Sequence, residues 1–154
     1  MDTTARRTWW SVVAFAAWTL FVWVGRIRNV WADASLDTTE KVGSSALATT
    51  FVVFASLTLV WAIGRRRAGL PPSMVYLVGT FAAWTTGVWV VRSTGIWLHE
   101  HPVGFKLVHT VLAAISITLA VAAVRRLRSA SEVDVKSESQ TAAPSAGLEE
   151  LANG

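Results

Sequence analysis

Three histidines, His99, His101 and His109, and one carboxylate, Glu100, fall within eleven consecutive positions. Imidazole and carboxylate are the metal ligands open to a chain without thiolates. This chain has no cysteine, so disulfides, thiolate sites and thiol nucleophiles are all excluded. The spacing follows no familiar metal motif, because histidines two positions apart cannot share a helix face. Haem is a second chemistry open to His109. A bis-His haem needs another histidine at the same depth on a different helix, and no other apolar segment holds one. The plainer alternative packs His109 near a membrane interface and leaves His99 and His101 in solvent. The reading adopted is no metal and no cofactor, with these three histidines as the metal candidates.

Arg26 and Arg92 are the second candidate pair. They lie 66 positions apart, each one helical turn beyond the centre of a Val-Trp-Val triplet, Trp23 and Trp89. Arginines beside indole rings can hold a phospholipid head group or another anion, with Trp31 and Trp97 as companions. The alternative is a pair of snorkelling anchors that fix helix depth. No grouping of nucleophile, base and orienting acid is present, so no catalytic residue is assigned and the protein is expected not to be an enzyme. Transport is an alternative, but the apolar segments offer only hydroxyls such as Thr85, Thr86, Ser116 and Thr118, without a carboxylate for ion coupling.

The elements that position these residues follow from where charge is missing. Thr8 to Gly25, Val42 to Gly64, Ala68 to Val91 and Leu107 to Val124 contain no Asp, Glu, Lys or Arg. Each is long enough for a helix to cross the roughly 30 Å hydrocarbon core of a bilayer. The chain is 53% hydrophobic, and its charged residues, 16%, are too few to cover a soluble surface. An all-α membrane protein with four transmembrane helices is expected, at about 9–24, 42–63, 73–91 and 103–124. Residues 1–128 then form the transmembrane domain. Residues 129–154 lack aromatics and are rich in Ser, Ala and Glu, so they read as a disordered cytoplasmic tail.

Basic residues set the expected orientation. Arg6, Arg7, Arg65–Arg67, Arg125, Arg126 and Arg128 fall on one side, against Arg26, Arg28, Lys41, Arg92 and Lys106 on the other. The larger group marks the cytoplasmic side, which puts both termini in the cytoplasm; Arg outnumbers Lys eleven to three, a bias of GC-rich bacterial genomes, so a bacterial cytoplasmic membrane is expected. The basic balance reflects these span ends, and no nucleic-acid partner is expected; the expected partners are membrane lipids and a membrane protein or second copy. Helix one resembles a signal peptide in its Arg6-Arg7 start. Its pattern recurs in mid-chain, so it is expected to be retained.

That recurrence is the main clue to architecture. Phe15-Ala16-Ala17-Trp18-Thr19 returns as Phe81-Ala82-Ala83-Trp84-Thr85, and ten of the seventeen positions from Phe15 to Trp31 are identical 66 residues later. Two tandem, parallel-repeat hairpins are expected, repeat one at about 9–67 and repeat two at about 73–128, related by an axis along the membrane normal. The second helices match only weakly, as in Lys41 with Lys106. Helix three also carries Gly79, Ala83 and Gly87 at four-residue steps. A small-residue stripe lets another helix approach closely, so helix three is expected to be the more centrally packed.

Phe15, Trp18, Trp23, Arg28, Asn29, Trp31 and Asp33 together form a pattern that resembles short, Trp-rich two-helix membrane proteins of actinobacteria. Their first helix ends in a basic residue, Asn, a variable residue and Trp. Phe105-Lys106-Leu107-Val108-His109-Thr110-Val111-Leu112-Ala113 is similar to the start of their second helix. The resemblance covers both hairpins and departs at Ser93-Thr94-Gly95, which replaces the Arg-Asn region. It implies the hairpin topology and carries no activity. The functional expectation is a non-enzymatic accessory or scaffold protein acting through helix and lipid contacts. A transporter of a small or lipophilic solute is the alternative, and a metal- or haem-binding subunit comes third.

Overall fold

A computed structural model describes the backbone of residues 3–66 and 71–152, with the surroundings of side chains 3–66, 71 and 73–132. It contains four helices: α1 (Thr3–Ala32), α2 (Thr38–Gly64), α3 (Pro72–Leu98) and α4 (Val103–Ala152). Each carries an apolar stretch long enough to span a membrane, over Thr3–Ala32, Thr38–Gly64, Ser73–Leu98 and Val103–Glu132. At about 1.5 Å per residue these stretches reach roughly 40–45 Å, the full bilayer with its head-group zones. Phe21, Val60, Val91 and Leu98 are more than two-thirds exposed on the outside of the bundle. An apolar exterior of that kind belongs in lipid. The chain is a multi-pass membrane protein.

The helices outrun the charge-free segments. Loss of apolarity ends a span, but it does not end a helix: α1 continues through Arg28 and Asn29 to Ala32, and α3 through Thr94 and Gly95 to Leu98. Segments expected as loop are therefore helical. The start of α2 is built by a capping box, in which Asp37 accepts from the Glu40 amide at 2.8 Å and Glu40 accepts from the Asp37 amide at 3.1 Å. The start of α3 lacks a side-chain cap: the N-cap is Pro71, with a proline preset at the first helical position. In the first loop the Asp33 carboxylate accepts from the Ser35 hydroxyl and amide. These bonds, with a smaller contribution from Lys41, hold it below the usual carboxylate range.

The backbone of α4 continues to Ala152, across the segment expected to be a disordered tail. Residues 129–143 contain no Gly or Pro and several good helix formers. Arg67, part of the basic connection between the hairpins, lies outside the described residues.

Packing joins α1 to α2, α3 to α4, and α1 to α4 closely, while α2 and α3 touch only lightly. Across the middle, α1 faces α3. The Phe15 and Phe81 rings lie 4.5 Å apart, and the Trp23 and Trp89 rings 6.2 Å apart. Both pairs join residues 66 positions apart. The same spacing governs burial. Thr8, Val12, Phe15, Ala16, Thr19, Trp23 and Val30 are buried on α1. Met74, Val78, Phe81, Ala82, Thr85, Trp89 and Ile96, each 66 positions later, are buried on α3. On the second helices the spacing becomes 65. Ala48, Phe51, Ala55, Thr58 and Ala62 on α2 answer to Ala113, Ser116, Ala120, Ala123 and Leu127 on α4. The change of one has a simple cause: residues 33–37 join α1 to α2, whereas 99–102 join α3 to α4, one residue fewer.

Candidate functional site

Indole N–H groups account for most of the polar side-chain contacts between helices. Trp18 donates to the Ser116 hydroxyl at 3.0 Å, joining α1 to α4. Trp84 donates to the Thr50 hydroxyl at 3.2 Å, joining α3 to α2. Near the hairpin loops, Trp31 donates to Ser45 and Trp97 to Thr110. At the opposite end, Trp9 donates to the Ala62 carbonyl at 2.8 Å, and the Arg66 guanidinium lies 5.0 Å from the Trp9 ring centre. An indole N–H in hydrocarbon needs such a partner, which explains hydroxyls opposite each mid-membrane Trp.

Arg26 and Arg92 meet in one cavity of about 410 Å³ near the hairpin-loop end of the bundle. The turn after Trp23 carries Arg26 into it, and the turn after Trp89 carries Arg92. Asn29 adds an amide from the extended end of α1. From α4 come His109 and the apolar Phe105, Val108 and Leu112. Among the described residues no acidic side chain lines this cavity. Trp89, buried in the same wall, has an N–H with no hydrogen-bond partner. The neighbouring Ser93 hydroxyl is also unpartnered, as are those of Thr58 and Thr85 deeper in the bundle.

The cavity has a counterpart across the bundle. A groove of about 530 Å³ is lined by Gly87, Val88, Val91 and Arg92 of α3 and by Leu47 of α2. These are the positions that answer to Phe21, Val22, Gly25, Arg26 and Leu112. Arg92 thus borders both spaces, and Arg26 only the first.

Other candidate residues fall elsewhere. Trp31 and Trp97 are half exposed and line neither space. The cation held over Trp97 is Lys106, at 5.5 Å, and no arginine of the pair stacks on an indole among the described residues. The small-residue stripe is turned outward: Ala83 and Gly87 are exposed, Gly79 is half-buried, and a Cβ added at either glycine would meet nothing within 4 Å. The expected central packing of α3 through this stripe is therefore not how α3 packs. Its inward face is the Met74–Trp89 row, and bulky rings there hold the stripe on the far side.

The histidines do not converge. Among the described residues no group of three or more His, Asp or Glu side chains comes together. The Nδ1–H of His99 donates to the Gly95 carbonyl at 2.7 Å and that of His109 to the Phe105 carbonyl at 2.9 Å, since a carbonyl can only accept. The His101 and His109 rings flank Phe105, at 4.9 and 4.1 Å. The hydroxyls proposed for a transport path are also dispersed. Thr85 and Ser116 are buried, Thr118 is exposed, and none of them, nor Thr86, lines either space.

No protein-family model matches this chain, and neither a curated protein nor a solved structure does.

The paired arginine cavity was only half legible in the sequence. The equivalence of Arg26 and Arg92 was readable from the repeat, but their sharing one space depends on α1 facing α3. Asn29 falls beyond the charge-free run of helix one, and the place of His109 beside the arginines has no sequence signal.

Proposed function

We propose that the protein is a non-enzymatic accessory or scaffold of the bacterial cytoplasmic membrane, acting through helix and lipid contacts. It is built from a duplicated hairpin, with both termini in the cytoplasm. The observation that carries this reading is the use of four mid-membrane polar groups, Trp18, Trp84, Ser116 and Thr50, as ties between helices. Groups spent in this way hold a bundle together. The duplication is supported by the constant 66-residue spacing of burial on α1 and α3. The outward stripe Gly79–Ala83–Gly87 offers a face on which a partner helix or a second copy would pack.

Native mass spectrometry of the protein extracted gently from its own membranes tests the reading. Bound mass accounted for by lipid or polypeptide is expected. A haem, a metal or a non-lipid small molecule retained in defined ratio would overturn it.

A further inference from the structure

We propose that Arg26 and Arg92 act as a single clamp for one anionic amphiphile, with its phosphate or carboxylate head between the two guanidinium groups and its chain against Phe21, Val108 and Leu112. This rests on the lipid-contact reading above and sharpens it. Two independent snorkelling anchors, the ordinary alternative, would each reach the interface on its own side of the bundle. Instead both arginines enter one cavity, from α1 and α3.

Three features fit an anion there. First, two cations share the space with no carboxylate in its lining, and like charges at the edge of hydrocarbon repel more strongly than in water. An anion between them turns that repulsion into two charge-assisted hydrogen-bonded contacts. Second, the Trp89 indole is 3% exposed and its N–H is unpartnered. Leaving a buried donor unpaired costs about 1–3 kcal/mol, and an anionic oxygen in the cavity is an acceptor for it. Third, the cavity continues into an apolar, outward-facing wall. Phe21 is 72% exposed and Val108 57%, so an alkyl chain can lie there in contact with the surrounding lipid.

The counterpart groove explains why one site forms rather than two. It has Arg92 but no second arginine, and Gly87 stands where the first has Phe21. At the α4 positions that supply Phe105 and His109, α2 offers Glu40 and Ser44, counted 65 residues earlier. The groove therefore lacks the paired charge, and its ring is Trp84 in place of Phe21, Phe105 and His109.

The test titrates delipidated full-length protein in neutral detergent with phosphatidylglycerol and follows retention by native mass spectrometry. Phosphatidylcholine and inorganic phosphate are run as parallel probes. One phosphatidylglycerol per chain is expected to survive collisional activation that strips further lipid. R26Q and R92Q are each expected to weaken that binding by roughly tenfold or more, since either loss opens the clamp. W89F, which keeps the ring and removes the N–H, is expected to weaken it by a smaller factor. R28Q, on an exposed neighbour of the same helix, is expected to leave it unchanged. Tryptophan emission of each variant, matched to wild type, shows that the bundle is intact. Two lipids lost independently, one with each arginine, would overturn the shared clamp, as would unchanged binding in both variants. Equal retention of phosphatidylcholine would overturn selection for a net anion. Phosphate competing as well as the lipid would overturn the role of the chain. None of these results would disturb the scaffold reading, which fails separately if a haem or metal is found.

Discussion

Apart from Trp9, whose counterpart Val75 is only half-buried, hairpin one and hairpin two bury the same positions and fill them with different volumes. At one of these buried positions, hairpin one has Phe51 and hairpin two has Ser116. Phe51 stacks flat on Trp23, at 4.0 Å, and also approaches Trp84 of α3. Phe54 stacks on Phe81 in the same seam. Rings of this size keep α2 and α3 apart. On the other side, α4 presents Ala113, Ser116, Ala120 and Ala123, small residues that let α1 approach closely. The comparison teaches that a pattern of burial can be held constant while side-chain size decides which seam closes. It also locates the asymmetry. The α2–α3 seam is open at both ends, with the groove beside Gly87 and a second space of about 490 Å³ beside Gly64 and Trp61. The α1–α4 seam holds the arginine cavity.

The largest effect is expected from Phe51→Ala. It removes the face that covers Trp23, and large-to-small changes at buried aromatic residues cost roughly 3–5 kcal/mol. Thermal unfolding in detergent should show a marked loss of Tm; an unchanged Tm would mean that the stack does not support the bundle. Next comes Ser116→Phe, which gives hairpin two the ring of hairpin one. It overfills the tight seam and takes the acceptor from Trp18, for an expected cost of about 1–3 kcal/mol. A stabilised protein would show that the α1–α4 seam has unused space and that the comparison is wrong in its main term.

Much of this was readable from sequence, for identifiable reasons. The four spans follow from charge-free runs, because lipid tolerates no unpaired charge there. The equivalence of α1 and α3 follows from Trp and Arg identities. The equivalence of α2 and α4 was nearly hidden, because small residues exchange freely with one another. Lys41 with Lys106 already carries the 65-residue spacing of the buried faces, as do Leu47 with Leu112, Ala48 with Ala113 and Ala55 with Ala120. Helix ends were missed because charge marks the membrane boundary rather than the end of hydrogen bonding. The stripe Gly79–Ala83–Gly87 faces outward within the bundle, because small residues permit close approach without requiring it. The partners of Trp18 and Trp84 lie on helices 98 and 34 residues away in sequence, and only the fold brings them together.

Smaller effects sharpen the comparison between the two indole ties. Trp18→Phe should cost more than Trp84→Phe, because Ser116 is buried at 2% exposure and Thr50 faces outward. Hydrogen bonds between helices in lipid average about 0.6 kcal/mol, so the difference should appear as a modest gap between the two melting curves. Equal losses would show that the two seams are energetically alike. Smallest of all is Gly87→Ala. With nothing within 4 Å of the added carbon, the monomer should be unaffected or gain up to about 1 kcal/mol from helix propensity. A clear loss in detergent-isolated monomer would place that face inside the fold.

The most direct test of the account is whether α1 and α3 oppose each other in register, since the shared arginine cavity depends on it. The chain has no cysteine, so the background is clean. The double variant Phe15→Cys with Phe81→Cys, in native membranes, should be joined within one chain by a short thiol-specific cross-linker. The pair Phe15→Cys with Ala83→Cys, which places the second thiol on the exposed face, should not be. Cross-linking of the second pair rather than the first, or linkage only between separate chains, would contradict the account.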